Sequence, residues 1–418
     1  MSQAHQSHDL AYWYADFSTG LFRLGEANFN ECKYPETLDN FQDCLEFSIK
    51  VLFEFAGVTY PPIHNLSSMI ISLATSYPTF TQELSRVAVS TSHWLGTTHF
   101  IPRYGVQNLG ISPQRIYNKT IVKTARRDAK VAYKLMQQIL ILQKRTHPRN
   151  IGILNGYVEG SRFRENACNS RPATTFSGSQ WKQSFENFQS YSGNPKYNVH
   201  EICAAEINSK YSMVINPFGE AYPEHDSVNR PIFNKIKDYV WGGGVFVNAG
   251  GFAFFYTWDV KQNQLIPISE TRTLVPSAIL VHPQTRQAVI QQFNRTIEFT
   301  GTLLWKELGA ITTFDTPAHS GPYNVQVSQR RSDRQKGGNL VNIGGTSTVR
   351  EFRALRNGTR NLFPILRSTR PGFGDIYSIA AIKYGHGYFL IIGMHVSTNS
   401  EYEKTISATD NFLNWVLR

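Results

Sequence analysis

Residues 242–251 have the spacing at which an α/β fold can present a reacting side chain. A segment predicted to be helical, residues 231–241, runs into three glycines, a short apolar strand and a turn of small residues. A sharp turn between a strand and a helix exposes its tip residue, which in nucleophilic hydrolases is Ser or Cys. Here the tip is Ala249, which has no attacking group. The sequence therefore predicts the scaffold of a catalytic site without its nucleophile.

The net charge of +11 is concentrated in two segments. Residues 115–149 hold ten Lys or Arg and one acid, and residues 330–370 hold ten against two acids, so the remainder is acidic. Two basic segments on an acidic chain indicate a polyanion such as RNA or a nucleotide, with solvated faces as the alternative. The first predicts a basic helical ridge of Lys119, Lys123, Arg126, Arg127, Lys130 and Lys134. The second offers Arg330, Arg331, Arg334, Arg353 and Arg356, and the last two share a face with Arg350 if residues 348–357 are helical.

The chain of 418 residues is too long for one ordinary hydrophobic core, so two domains are expected. Residues 9–144 have apolar side chains at three- and four-residue spacing. This pattern predicts an all-α bundle whose second helix is capped by Asp39 or Asn40. After residue 148, short apolar runs alternate with helical segments, which predicts a parallel-sheet α/β sandwich. We therefore place the domains at residues 1–147 and 148–418.

The sequence shows no pattern typical of a metal site, a secretion signal or a membrane span. The four cysteines lie far apart and no Cys/His spacing suits zinc, so neither a metal nor a cofactor is predicted. The polar N-terminus does not resemble a signal peptide, and no apolar run approaches the length of a membrane span. We expect a soluble cytoplasmic protein without a membrane partner.

The helical half resembles a HEPN domain over residues 8–145. The resemblance rests on Gln42, Glu46, Lys50, Leu52, Gly57, His64-Asn65-Leu66 and Arg103-Tyr104, in that order. The family consists of small helical bundles that usually dimerise. Many members are RNases of toxin and antiviral systems, and others are non-catalytic nucleotide-binding or partner modules.

The resemblance also implies roles for particular residues. In its RNases an Arg and a His separated by a short spacer converge at the dimer seam, with His as acid or base and Arg stabilising a phosphorane. Arg86 and His93 match that spacing, and Arg103 occupies the position of the family's Arg-Tyr pair, four residues after His99. A structural histidine is the alternative for His93 and His99. His64 matches the structural His of the family, and the spacing of Glu46 and Lys50 predicts an ion pair.

In parallel α/β sheets, ligands bind beyond the carboxyl ends of the strands. Those ends predict a crevice at Asn155, Gly219, Glu220, Ala249, Gly250 and Gly251. The backbone N–H groups of residues 249–251 would open a helix and favour an anion.

Residues 149–418 resemble the class I glutamine amidotransferase-like superfamily. The matching parts are residues 216–220, the three glycines, the turn at Ala249 and residues 384–395. The resemblance implies a catalytic Cys where Ala249 stands, a His at His395 and a Glu where Ser397 stands. Amidotransferase activity is therefore not expected, although a small anion or peptide carboxylate could bind.

The residues and the two resemblances together predict an effector or regulator of a prokaryotic defence or toxin-type system. Its helical domain would bind RNA or nucleotide and could be a metal-independent ribonuclease, while the α/β domain would be a non-catalytic sensor or scaffold. One alternative is a homodimeric adaptor that recruits another effector enzyme as its protein partner. Hydrolysis by another nucleophile, such as Ser397, is a third.

Overall fold

The computed structural model divides the chain into two compact units. We call residues 1–147 with 208–210 the helical unit, and residues 148–207 with 211–418 the α/β unit. The residues described are 3–96, 99, 101–106, 109–146, 149–156, 178–189, 193–219, 221–224, 226, 228–250, 253–254, 256–259, 264–267, 272–274, 297–299, 310–314, 323–327, 340–343, 350–355, 362–370, 374–393 and 399–417.

The described part of the helical unit is α-helical, as its apolar spacing predicts. Its helices are α1 (Gln3–Asn30), α2 (Tyr34–Ala56), α3 (Ser67–Ile70), α4 (Thr81–Trp94), α5 (Ile101–Tyr104), α6 (Pro113–Ile116) and α7 (Lys119–Thr146). Two 3-10 turns, Ile71–Ala74 and Pro78–Phe80, lie between α3 and α4. None of the described helices carries an apolar stretch long enough to cross a bilayer.

The central helix, α2, packs against both α1 and α7. The predicted cap at Asp39 or Asn40 is wrong because α2 begins at Tyr34. Pro35 fits the first turn, where its missing N–H breaks no helical hydrogen bond. The helix ends at Gly57, whose φ of +65° lets its N–H donate to the Glu54 carbonyl at 3.1 Å.

The α/β unit contains helices between its first strands and a long run of strands after β5 in the described residues. Its helices are α8 (Gly178–Glu186), α9 (Pro231–Trp241) and α10 (Asn399–Val416). Its strands are β1 (Arg149–Gly156), β2 (Tyr197–Cys203), β3 (Met213–Asn216), β4 (Ala221–Glu224), β5 (Val245–Ala249), β6 (Tyr256–Asp259), β7 (Gln264–Pro267), β8 (Arg272–Leu274), β9 (Ile297–Phe299), β10 (Ala310–Phe314), β11 (Tyr323–Val327), β12 (Leu340–Ile343), β13 (Arg350–Leu355), β14 (Leu362–Arg370), β15 (Gly374–Tyr384) and β16 (Gly387–Ile392).

The main sheet is mixed rather than wholly parallel. Its order is β2-β1-β3-β5-β16-β15-β13-β10-β9-β8, and β14 joins β15 to β11 and β12. The strands from β2 to β16 pair in parallel, and the pairings from β16 onward are antiparallel. A separate sheet contains β4, β6 and β7. The multidomain α and α/β class is confirmed, and the predicted parallel sheet corresponds to the part from β2 to β16.

The parallel strands bury apolar side chains on both faces, because successive side chains point to opposite sides of a strand. Val247 lies in one apolar cluster with Trp181 of α8 and Phe412 of α10. Its neighbour Phe246 lies in a second cluster with Phe233 of α9. Helices therefore cover the parallel part of the sheet on two sides.

The helix predicted after the turn at Ala249 is not formed in the described residues. Gly250 has a φ of +116°, and residues 253–254 form a turn that leads into β6. Phe254 is fully buried, and its ring centroid lies 5.0 Å from that of Phe233. Burial of this ring against α9 stabilises a turn where local sequence favours a helix.

The conditional helix over residues 348–357 is also wrong. β13 spans Arg350–Leu355 and pairs antiparallel with β10. Strand pairing has overridden local helix propensity. The grouping of Arg350, Arg353 and Arg356 on one helical face is therefore lost.

Gly387 begins β16 at a close approach to the three-glycine segment. A Cβ at this position would lie 2.1 Å from the carbonyl oxygen of Gly244 and 2.2 Å from that of Val240. Both are backbone atoms, so neither can rotate away.

We predict that Gly387→Ala lowers the free energy of unfolding by about 2 kcal/mol or more, because β16 must move away from β5 or α9. Denaturant unfolding measures the change. Gly178→Ala is the control, since its Cβ would meet Ile153 and Pro217 at an ordinary 3.6 Å. Equal stability of Gly387→Ala and the wild type would contradict this close packing.

Candidate functional site

A group of charged side chains surrounds the middle of α2. The Glu46 side chain is only 4% exposed. Its Oε1 accepts a hydrogen bond from Lys50 Nζ at 2.6 Å, and its Oε2 lies 2.6 Å from His64 Nδ1. Gln42, one turn earlier, donates from Nε2 to the Trp94 carbonyl at 2.7 Å. The predicted ion pair is confirmed, and His64 is a second partner that spacing alone did not indicate.

His99 brings a second imidazole to this group. Its side chain is 3% exposed, and its ring centroid lies 4.2 Å from that of His64. Its Nε2 lies 4.0 Å from Asp43 Oδ1. Burial, followed by the nearby His64, lowers the pKa of His99, so its imidazole is neutral near pH 7. A neutral imidazole can accept a proton or coordinate a metal ion.

Arg103 connects two acidic side chains of α2. Its Nε donates to Asp39 Oδ1 and its Nη2 to Asp43 Oδ2, both at 2.6 Å. Burial, with Asp39 and Glu46, raises the pKa of Asp43 to about 6, and Arg103 acts in the opposite direction. Arg103 is thus held by carboxylates of its own chain. Asp39 and Asp43 were missed as site residues, although their spacing from Glu46 places all three along α2.

Arg86 and His93 lie on the exposed side of α4. Seven residues make about two helical turns, so the two positions share a face about 10 Å apart. The His93 ring packs edge-on against Trp94, with centroids 4.5 Å apart. Both side chains can be reached from solvent, and Arg103 is also exposed but is paired with two carboxylates of α2.

The α7 ridge consists of the five exposed cations Lys119, Lys123, Arg127, Lys130 and Lys134. Helical geometry places them within an arc of about 80° along about 22 Å. Arg127 pairs with its neighbour Asp128 at 3.0 Å. The four lysines form no ion pair within the part of the chain that the structure describes.

Arg126, also predicted for the ridge, has a structural role. It donates to Glu26 of α1 from Nε at 2.6 Å and from Nη2 at 2.5 Å. Its guanidinium carbon also lies 5.0 Å from the centre of the Phe29 ring. Arg126 therefore joins α7 to α1.

Two buried amides lie at the carboxyl ends of β3 and β5. Asn216 Nδ2 donates to the Ala221 carbonyl at 2.8 Å and to Asn248 Oδ1 at 3.2 Å. Asn248 Nδ2 donates to the Gly250 carbonyl at 2.8 Å. Ala249, the residue after Asn248, is fully buried. The side-chain N–H groups of both amides therefore bind acceptors of the protein itself at the carboxyl ends of β3 and β5.

The remaining residues predicted for the crevice and the second basic segment fall into two groups, those that the structure describes and those that it does not. Asn155 donates to Glu201 Oε2 of β2 at 2.8 Å, and Gly219 has a φ of +71°. Arg353 lies on β13. The remaining positions lie outside the described residues: Glu220, Gly251, Arg330, Arg331, Arg334, Arg356 and His395.

Glu224 of β4 is a buried carboxylate that the sequence analysis missed. Its Oε1 accepts the N–H of Ile232 at 2.9 Å, and its Oε2 accepts that of Phe233 at 3.0 Å. It therefore caps α9 from another element. The available signal was the Arg230-Pro231 start of this helix, which has no capping side chain of its own.

Comparison with known proteins identifies no family. No family model and no curated protein matches the sequence. A β-galactosidase from Bacillus circulans sp. alkalophilus is similar at 13% identity and a TM-score of 0.35, covering 69% of this chain and 34% of that one. A β-galactosidase from Rahnella sp. R3 has 11% identity and a TM-score of 0.36, covering 69% and 35%. The match thus spans about a third of each solved structure, and at these TM-scores it carries no functional argument.

We predict that Arg103→Ala raises the pKa of Asp43 above about 6, because burial and the neighbouring carboxylates are then unopposed. A carboxyl ¹³C NMR titration measures this pKa. Arg86→Ala removes an exposed cation of α4 and is expected to leave the Asp43 titration unchanged. An unchanged Asp43 pKa in Arg103→Ala would show that the ion pair is not formed in solution.

Proposed function

We propose that the helical unit binds RNA through the α7 ridge and that the α/β unit is a non-catalytic module. The observation that supports RNA binding is the row of four exposed lysines with no described ion pair. Like charges along one face repel each other, so the ridge destabilises its own helix unless anions face it. A phosphate backbone supplies those anions at regular intervals and releases counterions on binding.

The non-catalytic role of the α/β unit is supported at the end of β5. Ala249 has no nucleophilic atom, and the nearby amides of Asn216 and Asn248 are hydrogen-bonded within the protein. RNA cleavage by Arg86 and His93, and a place in a defence or toxin-type system, stay predictions of the family resemblance.

The RNA proposal predicts a specific dependence on salt. The double variant Lys123→Gln/Lys130→Gln removes two phosphate contacts and should weaken binding of single-stranded RNA about tenfold at moderate salt. The slope of log affinity against log salt should fall by about 1.4, or about 0.7 for each contact. Fluorescence anisotropy at several salt concentrations measures both quantities.

The matched control is Lys182→Gln/Lys383→Gln, which makes the same charge change in the α/β unit. If both double variants bind RNA as tightly as the wild type, the α7 ridge is not the binding surface. Tighter binding of DNA than of RNA of the same sequence would reject RNA as the partner.

A second candidate function, a homodimeric adaptor, is favoured by an exposed apolar stripe on α1. The stripe consists of Leu10, Trp13, Phe17 and Leu24, which are 39–55% exposed. The rings of Trp13 and Phe17 stack at 5.5 Å, and Phe47 of α2 packs against Phe17 at 4.7 Å. Residues 10, 13, 17 and 24 follow the three- and four-residue spacing of a helix–helix seam. A second copy of α1 would cover this stripe with a matching surface.

The adaptor proposal predicts that Trp13→Ser/Phe17→Ser weakens self-association at least tenfold, because the double variant removes the stacked rings of the stripe. Sedimentation velocity over a range of concentrations measures the dimer. Val89→Ser, which changes an exposed apolar residue of α4, is the control and should not alter association. A wild-type chain that stays monomeric at high concentration would exclude this role for the stripe.

A further inference from the structure

The Glu46, His64 and His99 side chains meet although they come from three separate segments of the helical unit. One potential ligand atom from each lies within 4.8 Å of the others. We propose that these three side chains bind a divalent transition-metal ion of the zinc class. This site is independent of the α7 ridge and of the RNA proposal.

The donor types suit such an ion. One carboxylate oxygen and two imidazole nitrogens form a ligand set that zinc and neighbouring transition metals bind well. Magnesium and calcium prefer oxygen ligands, so two imidazoles select against them. Three protein ligands leave a coordination position for water or a substrate group, as in catalytic zinc sites.

The surroundings hold two of the ligands in place. Glu46 is buried, and Lys50 binds its Oε1 while Oε2 faces His64. His99 is buried, and Asp43 Oδ1 lies 4.0 Å from its Nε2, which is an electrostatic contact rather than a hydrogen bond. The Lys50 ammonium group also lies 5.1 Å from the centre of the Phe47 ring. This cation–π contact remains when a metal ion binds Glu46.

Metal binding requires only a small movement. Two ligands of one tetrahedral zinc ion lie about 3.4 Å apart, given bonds of about 2.1 Å. The present His64–Glu46 distance of 2.6 Å is that of a hydrogen bond, so these atoms must separate by about 1 Å. His64 is 48% exposed and lies between α2 and α3, so it can move without disturbing the core. Its exposure also gives the ion a route from solvent.

The test uses the full chain after treatment with a chelator. Co²⁺, a spectroscopic substitute for Zn²⁺, is titrated while visible absorption is recorded, and Zn²⁺ affinity is then measured by competition with a chromophoric chelator. We expect one Co²⁺ per chain with the intense absorption of a four- or five-coordinate ion, displaced by one Zn²⁺. His64→Ala and Glu46→Gln should each lower the Zn²⁺ affinity at least tenfold.

Two further variants make the result decisive. Asp43→Asn should lower the affinity about tenfold, because the carboxylate beside His99 is lost. His200→Ala, which removes an exposed histidine of β2, should bind as the wild type does. His64→Ala keeps the buried core, and circular dichroism confirms its folding. A wild type with no stoichiometric Co²⁺ absorption, or a folded His64→Ala with wild-type affinity, would overturn the proposal.

Discussion

Burial of the Glu46 carboxylate in the middle of α2 is the constraint on which the polar part of the helical unit depends. A buried charge is strongly destabilising unless opposite charges and hydrogen-bond donors surround it. Lys50 lies one turn away on the same helix, and His64 comes from the segment after α2. On the same face of α2, His99 lies near Asp43. Arg103 pairs with both Asp39 and Asp43. Acids along one face of α2 thus contact side chains from two later segments of the chain.

The α/β unit contains a second buried glutamate that is compensated differently. Glu224 accepts two backbone N–H groups from the first turn of α9 and a hydrogen bond from the Tyr222 hydroxyl at 3.3 Å. These first-turn N–H groups have no acceptor within the helix, so Glu224 satisfies them and caps α9. The partners of Glu46 are side chains, and one of them, His64, is half exposed. The hydrogen bond between Glu46 and His64 can therefore be replaced by bonds from both side chains to a ligand. Glu224, whose charge is stabilised by backbone donors, is therefore a helix cap. Glu46, whose charge is stabilised by side chains, belongs to a candidate site.

The end of β5 shows how the chain can depart from the path that a sequence pattern predicts. The strand ends where expected, but the next described residues form a turn and then β6 instead of a helix. Phe254 has a positive φ of +58°. Its ring packs against those of Phe233, Phe246 and Phe389. The small residues of the turn are compatible with either path. Burial of the Phe254 ring favours the turn.

The sequence by itself determined the helical first half, the alternation of strands and helices after residue 148, the exposed lysines of α7 and the absence of a nucleophile at residue 249. Each follows from short-range periodicity or from the identity of one residue, which the chain carries without reference to distant contacts. Only the tertiary structure decided that Arg126 joins two helices, that Arg103 is held by two carboxylates, and that Glu46 lies beside His64 and His99. Residues 46, 64 and 99 have no regular spacing. Their proximity requires the segments after α2 and after α4 to return to the face of α2 that carries Glu46. No local sequence pattern encodes that path.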